Sequence, residues 1–122
     1  MAVNFRDDKS SGEGRREPIS SVKVIRWRGG QHPTYQAITA KMEQEGLRPY
    51  AAAHGPNSRF GACSYSAGKV LYCAEGSIEI ILPDLNQTAV LRPGDRLEMP
   101  RGVRYNAIVG SRGARCIESQ KA

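Results

Sequence analysis

Long apolar runs are missing from this chain of 122 residues. None approaches the roughly 18 residues that a bilayer-spanning helix needs, which excludes an anchor of that kind. The opening segment, MAVNFRDDKSSGEGRREPISS, lacks the apolar block of a secretory signal. Cysteine is also sparse: Cys63, Cys73 and Cys116 are odd in number and form no CxxC pair. That pattern argues against a disulfide framework and against a structural zinc site. Internal repeats are absent, and biased sequence is confined to the N-terminal segment. What remains is the expectation of a soluble, cytoplasmic, single-domain protein with reduced thiols, near the commonest domain size.

The net charge of +6 invites a nucleic-acid reading, so its placement matters. Residues 1–28 carry seven basic and four acidic groups, residues 29–100 six and seven, and residues 101–122 five and one. The excess therefore lies at the two ends. Among Arg101, Arg104, Arg112 and Arg115 the one aromatic neighbour is Tyr105. A solvated basic surface is expected, with no nucleic-acid partner.

Residues 1–20 mix Asp, Lys, Ser, Gly, Glu and Arg with few large apolar side chains. Such a segment buries too little to offset its ordering entropy and is expected to be a flexible tail. A folded domain follows over residues 21–119. Alternation in Val22-Lys-Val-Ile-Arg-Trp27 predicts a first strand, broken by Gly29-Gly30. Pro33 then opens a helix over about 33–45, with Tyr35, Ile38 and Met42 as its buried stripe and Gly46 as its stop. From Arg48 to Glu118 short strands alternate with turns. The breaks fall at Gly55-Pro56-Asn57, Ala67-Gly68, Glu75-Gly76, Pro83-Asp84, Pro93-Gly94-Asp95, Pro100-Arg101-Gly102 and Gly110–Gly113. Close, regular spacing of this kind predicts an antiparallel all-β sandwich or barrel.

Two spaced signatures sharpen that picture. One is Lys69-Val-Leu-Tyr-Cys-Ala-Glu75-Gly76-Ser-Ile-Glu-Ile-Ile-Leu82, a strand ending in Glu-Gly before a second apolar strand. The other places Gly94, Pro100, Gly102 and Tyr105 at the spacing Gly, five residues, Pro-x-Gly, two residues, ligand, and it follows the turn Leu91-Arg-Pro-Gly-Asp95. Together they resemble the cupin superfamily of small jelly-roll barrels, RmlC-like proteins included. The resemblance implies a cupin-like antiparallel jelly-roll barrel with one N-terminal helix packed outside. It also implies a homodimer formed through outer strands, with Val22–Trp27 as the segment available for it.

Family members typically hold a metal on two histidines, a glutamate and a third histidine. Here those four places fall on Cys63, Tyr65, Lys69 and Tyr105. An ammonium repels a cation, and tyrosine binds metal well only as phenolate, far from its ordinary pKa of about 10. The expectation is a barrel without metal or cofactor. Its inward Cys63, Tyr65, Lys69 and Tyr105 either fill space or bind a small polar or anionic molecule, with Lys69 paired to Glu98 or Glu79 if it is structural. Possible rim residues are His54, Arg59 and Arg104. A Cys63–His54 nucleophile pair has opportunity but no support from spacing, and catalytic residues stay unassigned. Two other classes remain open: a metal-dependent dioxygenase or isomerase with an atypical Cys/Tyr site, and a regulatory module that uses the basic tail.

Overall fold

The computed structural model describes residues 22–63 and 67–121, with the backbone alone at Ala62 and Cys63. The expected tail over residues 1–20 and the candidate residue Tyr65 lie outside the described residues. In chain order the elements are β1 (Lys23–Ile25), α1 (Tyr35–Gln44), β2 (Tyr50–His54), β3 (Arg59–Cys63) and β4 (Gly68–Leu82). A 3-10 turn (Pro83–Leu85), β5 (Gln87–Leu91), β6 (Arg96–Met99) and β7 (Tyr105–Lys121) complete the chain.

Two long strands organise everything else. Sequence spacing predicts breaks at Glu75-Gly76 and Gly110–Gly113, yet β4 and β7 each run through those places as continuous antiparallel partners. The breaks are bulges instead, at Cys73/Glu75 and Gly76/Ile78. A bulge adds a residue to one strand, bends it and increases its twist, so one strand can serve two layers. Gly76 shows why glycine is needed at the bend. Its φ is +79°, and a Cβ there would meet the Gly113 carbonyl oxygen at 2.0 Å.

The first half of β4 lies between β6 and the second half of β7, in a layer ordered β1-β6-β4-β7-β2. Beyond the bend, the second half of β4 pairs with β5 and the first half of β7 pairs with β3. Among the described residues the hydrogen-bonded ladder does not close into a ring. The architecture is thus an all-β antiparallel jelly roll whose two layers face each other across an apolar core.

Parity changes at the bend. Leu71 and Cys73 enter the core from odd positions of β4, whereas Ile78, Ile80 and Leu82 enter from even ones. On β7 the core residues Tyr105, Ala107 and Val109 give way to Ala114 and Cys116. A one-residue offset sends every following side chain to the other face, and here the bulges supply it.

Helix α1 covers the outer face of the β1-β6-β4-β7-β2 layer. Ile38 and Met42 bury against Val70, Tyr72, Ala74 and Ile117. Thr34 caps its start by accepting a bond from the Ala37 N–H at 3.1 Å, and Gly46 turns the chain out at φ +84°. Tyr35, expected in the buried stripe, is 42% exposed instead, because it sits in the first turn beyond the edge of the sheet contact. Arg96 fastens the helix end. Its guanidinium donates to both carboxylate oxygens of Glu45 at 2.8 and 3.0 Å and to the Tyr72 hydroxyl at 2.8 Å.

The turn between β5 and β6 anchors the N-terminal strand. Pro93-Gly94 forms the expected turn, with the Asp95 N–H donating to the Arg92 carbonyl at 2.9 Å and Gly94 at φ +94°. The buried Asp95 carboxylate accepts from Arg26 at 2.8 Å and from the Trp27 N–H at 2.9 Å. Beyond those contacts Ile25 is 47% exposed and Trp27 40% exposed, on or just past an edge strand.

Candidate functional site

The strand termini gather at one end of the jelly roll. Lys69 follows the first residue of β4, Tyr105 opens β7, and Glu118 lies near the end of β7. Lys69 and Glu118 sit on the two neighbouring strands, where Leu71 pairs with Glu118 and Lys69 with Gln120. All three side chains are buried, to 6%, 2% and 7% exposure for Lys69, Tyr105 and Glu118. The Lys69 ammonium contacts the Glu118 Oε1 at 2.5 Å and donates to the Tyr105 hydroxyl at 3.5 Å. It also stands 5.8 Å from the centre of the Tyr105 ring. From the neighbouring strand β2, the half-exposed Tyr50 donates its hydroxyl to the Glu118 Oε1 at 3.3 Å.

Beneath this polar group the core is apolar. Cys73 and Cys116 face each other across β4 and β7, fully buried and unoxidised. Burial, reinforced by the nearby Asp95, pushes the Cys73 thiol up to about 12. Burial, reinforced by Cys73 and Glu118, does the same to Cys116. Thiols held protonated in this way are poor nucleophiles and poor metal ligands.

Of the four positions singled out in the sequence, Lys69 and Tyr105 thus meet inside the barrel. The backbone of Cys63 lies opposite Tyr105 across β3 and β7, which brings a third position to the same end. Tyr65 lies outside the described residues. The partner expected for Lys69 was Glu98 or Glu79, but the ion pair forms with Glu118. Glu98 points to the helix side of the sheet, where it accepts from Arg96 at 2.8 Å. Glu118 was readable from the sequence only by restarting the alternation after Gly113, since Ala114 and Cys116 then carry Glu118 inward with them.

The three rim positions separate. Arg104 precedes Tyr105, but its guanidinium is engaged by Asp84 at 2.6 and 3.0 Å. Arg59 pairs with Ile108, towards the bend and away from Tyr105. His54 closes β2 opposite Ala114, whereas Tyr50 opens it opposite Glu118. Four residues of strand, about 13 Å, therefore lie between His54 and the polar group. The His54 ring stacks on Phe60 with centroids 4.9 Å apart. The register partner of His54, Ala114, lies nine residues along β7 from Tyr105, the partner of Cys63, so the backbone register gives no support to a Cys63–His54 pair.

No family model matches the chain, and no curated protein matches it. Solved structures do. A DUF861 family protein from Thermotoga maritima is 21% identical and superposes with a TM-score of 0.54, covering 82% of this chain and 99% of its own. A 3,4-ketoisomerase from Helicobacter canadensis is 26% identical at a TM-score of 0.53, over 62% of this chain and 60% of its own. An RmlC-like cupin from Shewanella frigidimarina is 18% identical at 0.53, over 62% and 67%. These likenesses are of fold, and the fold of this chain is the all-β jelly roll of the cupin superfamily.

Proposed function

We propose that this protein is a metal-free cupin whose interior site takes a small, uncharged polar molecule. The observation that carries the reading is the buried Lys69–Glu118 ion pair with the Tyr105 hydroxyl 3.5 Å from the ammonium. Burying charge in an apolar core is costly unless the charges are paired, and replacing such a pair by apolar residues is often neutral or stabilising. Keeping ions there therefore hints at a task beyond stability.

The donor set argues against a divalent cation. A metal placed between Lys69 and Tyr105 would face an ammonium, and the nearby carboxylate already holds that ammonium. A metal also needs a deprotonated ligand set, and the Cys73 and Cys116 thiols beneath the polar group, raised to about 12, do not supply one. The same pairing narrows the ligand. Lys69 is neutralised by Glu118, so an anion would approach a carboxylate as closely as an ammonium. An uncharged molecule bearing hydroxyl and carbonyl groups can instead accept from Lys69 and Tyr105 and donate to Glu118, with no net charge to bury.

A 3,4-ketoisomerase is among the structures this chain resembles, which agrees with a carbonyl-bearing ligand. The dimer expected from the same resemblance would use edge strand β1, where Ile25 and Trp27 leave apolar surface exposed. A thermal-shift panel tests the reading, with neutral hydroxy-carbonyl compounds set against carboxylates and phosphates. The neutral set should raise the melting temperature of the wild type, and Tyr105→Phe should remove the rise. Stabilisation by anions alone, unchanged in Tyr105→Phe, would refute it.

A further inference from the structure

The far end of the jelly roll, at the bend, carries an open cleft whose lining shares no residue with the Lys69–Glu118–Tyr105 group. The cleft, of about 640 Å³, opens between four pieces of chain: the corner after β2, the bends of β4 and β7, and the turn before β6. Its walls bear three guanidiniums, those of Arg92, Arg112 and Arg115, against one carboxylate, Glu75. Arg115 reaches Glu75 only at 3.9 Å, and both side chains are largely exposed. Among the described residues Arg92 and Arg112 have no ion-pair partner at all, in contrast to Arg26, Arg96 and Arg104, which are each held by a carboxylate at 2.6–2.8 Å.

His54 also lines the cleft, but its Nε2 is closed off from it and is not a contact for a bound group. Ser77 adds a hydroxyl to the same wall. The cleft also rests on rigid backbone. Gly76 and Gly113 both have positive φ, and a Cβ on Gly113 would meet the His54 carbonyl at 3.0 Å, so β4, β7 and the β2 corner touch directly beneath it.

We infer that this cleft binds a multiply charged phosphate-type anion. Planar guanidiniums match phosphate oxygens in paired, charge-assisted hydrogen bonds, which explains why arginine rather than lysine lines the walls. The volume falls in the range of small-molecule sites and is ample for a phosphorylated metabolite. A free inorganic anion and a phosphate group carried on a metabolite present the same chemistry, and the two are separated by experiment.

The test is isothermal titration of the full chain with inorganic phosphate, pyrophosphate and glucose 6-phosphate at near-physiological salt. Arg92→Gln, Arg112→Gln and, as a control outside the cleft, Arg104→Gln would be titrated in parallel. Each cleft arginine should be worth about a tenfold loss of affinity, the yield of one charge-assisted hydrogen bond, while the control stays at wild type. Pyrophosphate as the tightest probe indicates a free inorganic ligand, and the sugar phosphate as the tightest indicates a carried phosphate; either supports the inference. Equal losses in all three variants would mean non-specific attraction to a basic surface and overturn it. Absence of binding to any probe would do the same. So would tighter binding of a short single-stranded oligonucleotide than of every small anion, because the cleft would then be a nucleic-acid surface. None of these outcomes bears on the interior site, whose readout depends on Tyr105.

Discussion

The two ends of this jelly roll handle charge in opposite ways. Where the strands terminate, Lys69, Glu118 and Tyr105 are buried together and the ammonium is satisfied by a carboxylate inside the molecule. At the bend, Arg92 and Arg112 stand exposed around an open cleft, with no carboxylate holding them among the described residues. Buried charge must find its partner within the chain, because water is not there to solvate it. Exposed charge can remain unmatched at little cost and stay available for a ligand. On the proposed readings, one end suits an uncharged guest and the other an anion.

That contrast predicts effects of very different size. Glu118→Ala should be the most damaging change, since it strands the Lys69 ammonium in the core. The loss should be about 3–5 kcal/mol, measured as a fall in the urea unfolding free energy. The double variant Lys69→Met/Glu118→Leu should recover most of that loss, because it removes both charges and keeps the volume. Equal loss in the single and double variants would break the comparison, as it would mean that packing rather than charge sets the cost.

Next in size is Gly76→Ala at the bend. The added methyl meets the Gly113 carbonyl, and φ is positive, so the loss should be roughly 2 kcal/mol or more in the same assay. A smaller effect belongs to the helix clamp. Hydrogen bonds from Arg96 hold the Glu45 carboxyl below its ordinary value, so the folded chain binds that proton less readily than the unfolded chain. The contribution is complete above the ordinary carboxylate range and is lost as pH falls through the lowered folded value. Denaturation midpoints of wild type and Glu45→Gln should accordingly converge between about pH 6 and about pH 3. Smallest of all, Arg92→Gln and Arg112→Gln should leave stability within about 0.5 kcal/mol of wild type, as befits side chains without partners in the fold.

Much of this was legible in the sequence because it rests on local chemistry. The Pro93-Gly94 turn and the helix read over about 33–45, observed at Tyr35–Gln44 with its Gly46 stop, each follow from a few neighbouring residues. The continuous strands were not legible. Glu75-Gly76 reads as a hairpin, because a positive-φ glycine serves a bulge as well as a turn, and only the pairing of β4 with β7 distinguishes them. Missing the bulges hid two further features. The parity change that brings Glu118 beside Lys69 lies downstream of them, and so does the cleft, whose arginines come from two segments, at Arg92 and at Arg112 and Arg115, that only the bend draws together. His54 was expected at the rim of the interior site, but the register of β2 carries it to the other end.

The central proposal is that the Lys69–Glu118 ion pair occupies the interior where the cupin resemblance would lead one to expect a metal. Elemental analysis by plasma mass spectrometry tests it most directly, on protein incubated in turn with iron, manganese, nickel, copper and zinc and then desalted. The account predicts metal far below one equivalent in every case, with no change on Tyr105→Phe. Near-stoichiometric retention of one of these metals, lost in Tyr105→Phe or Cys63→Ser, would contradict it.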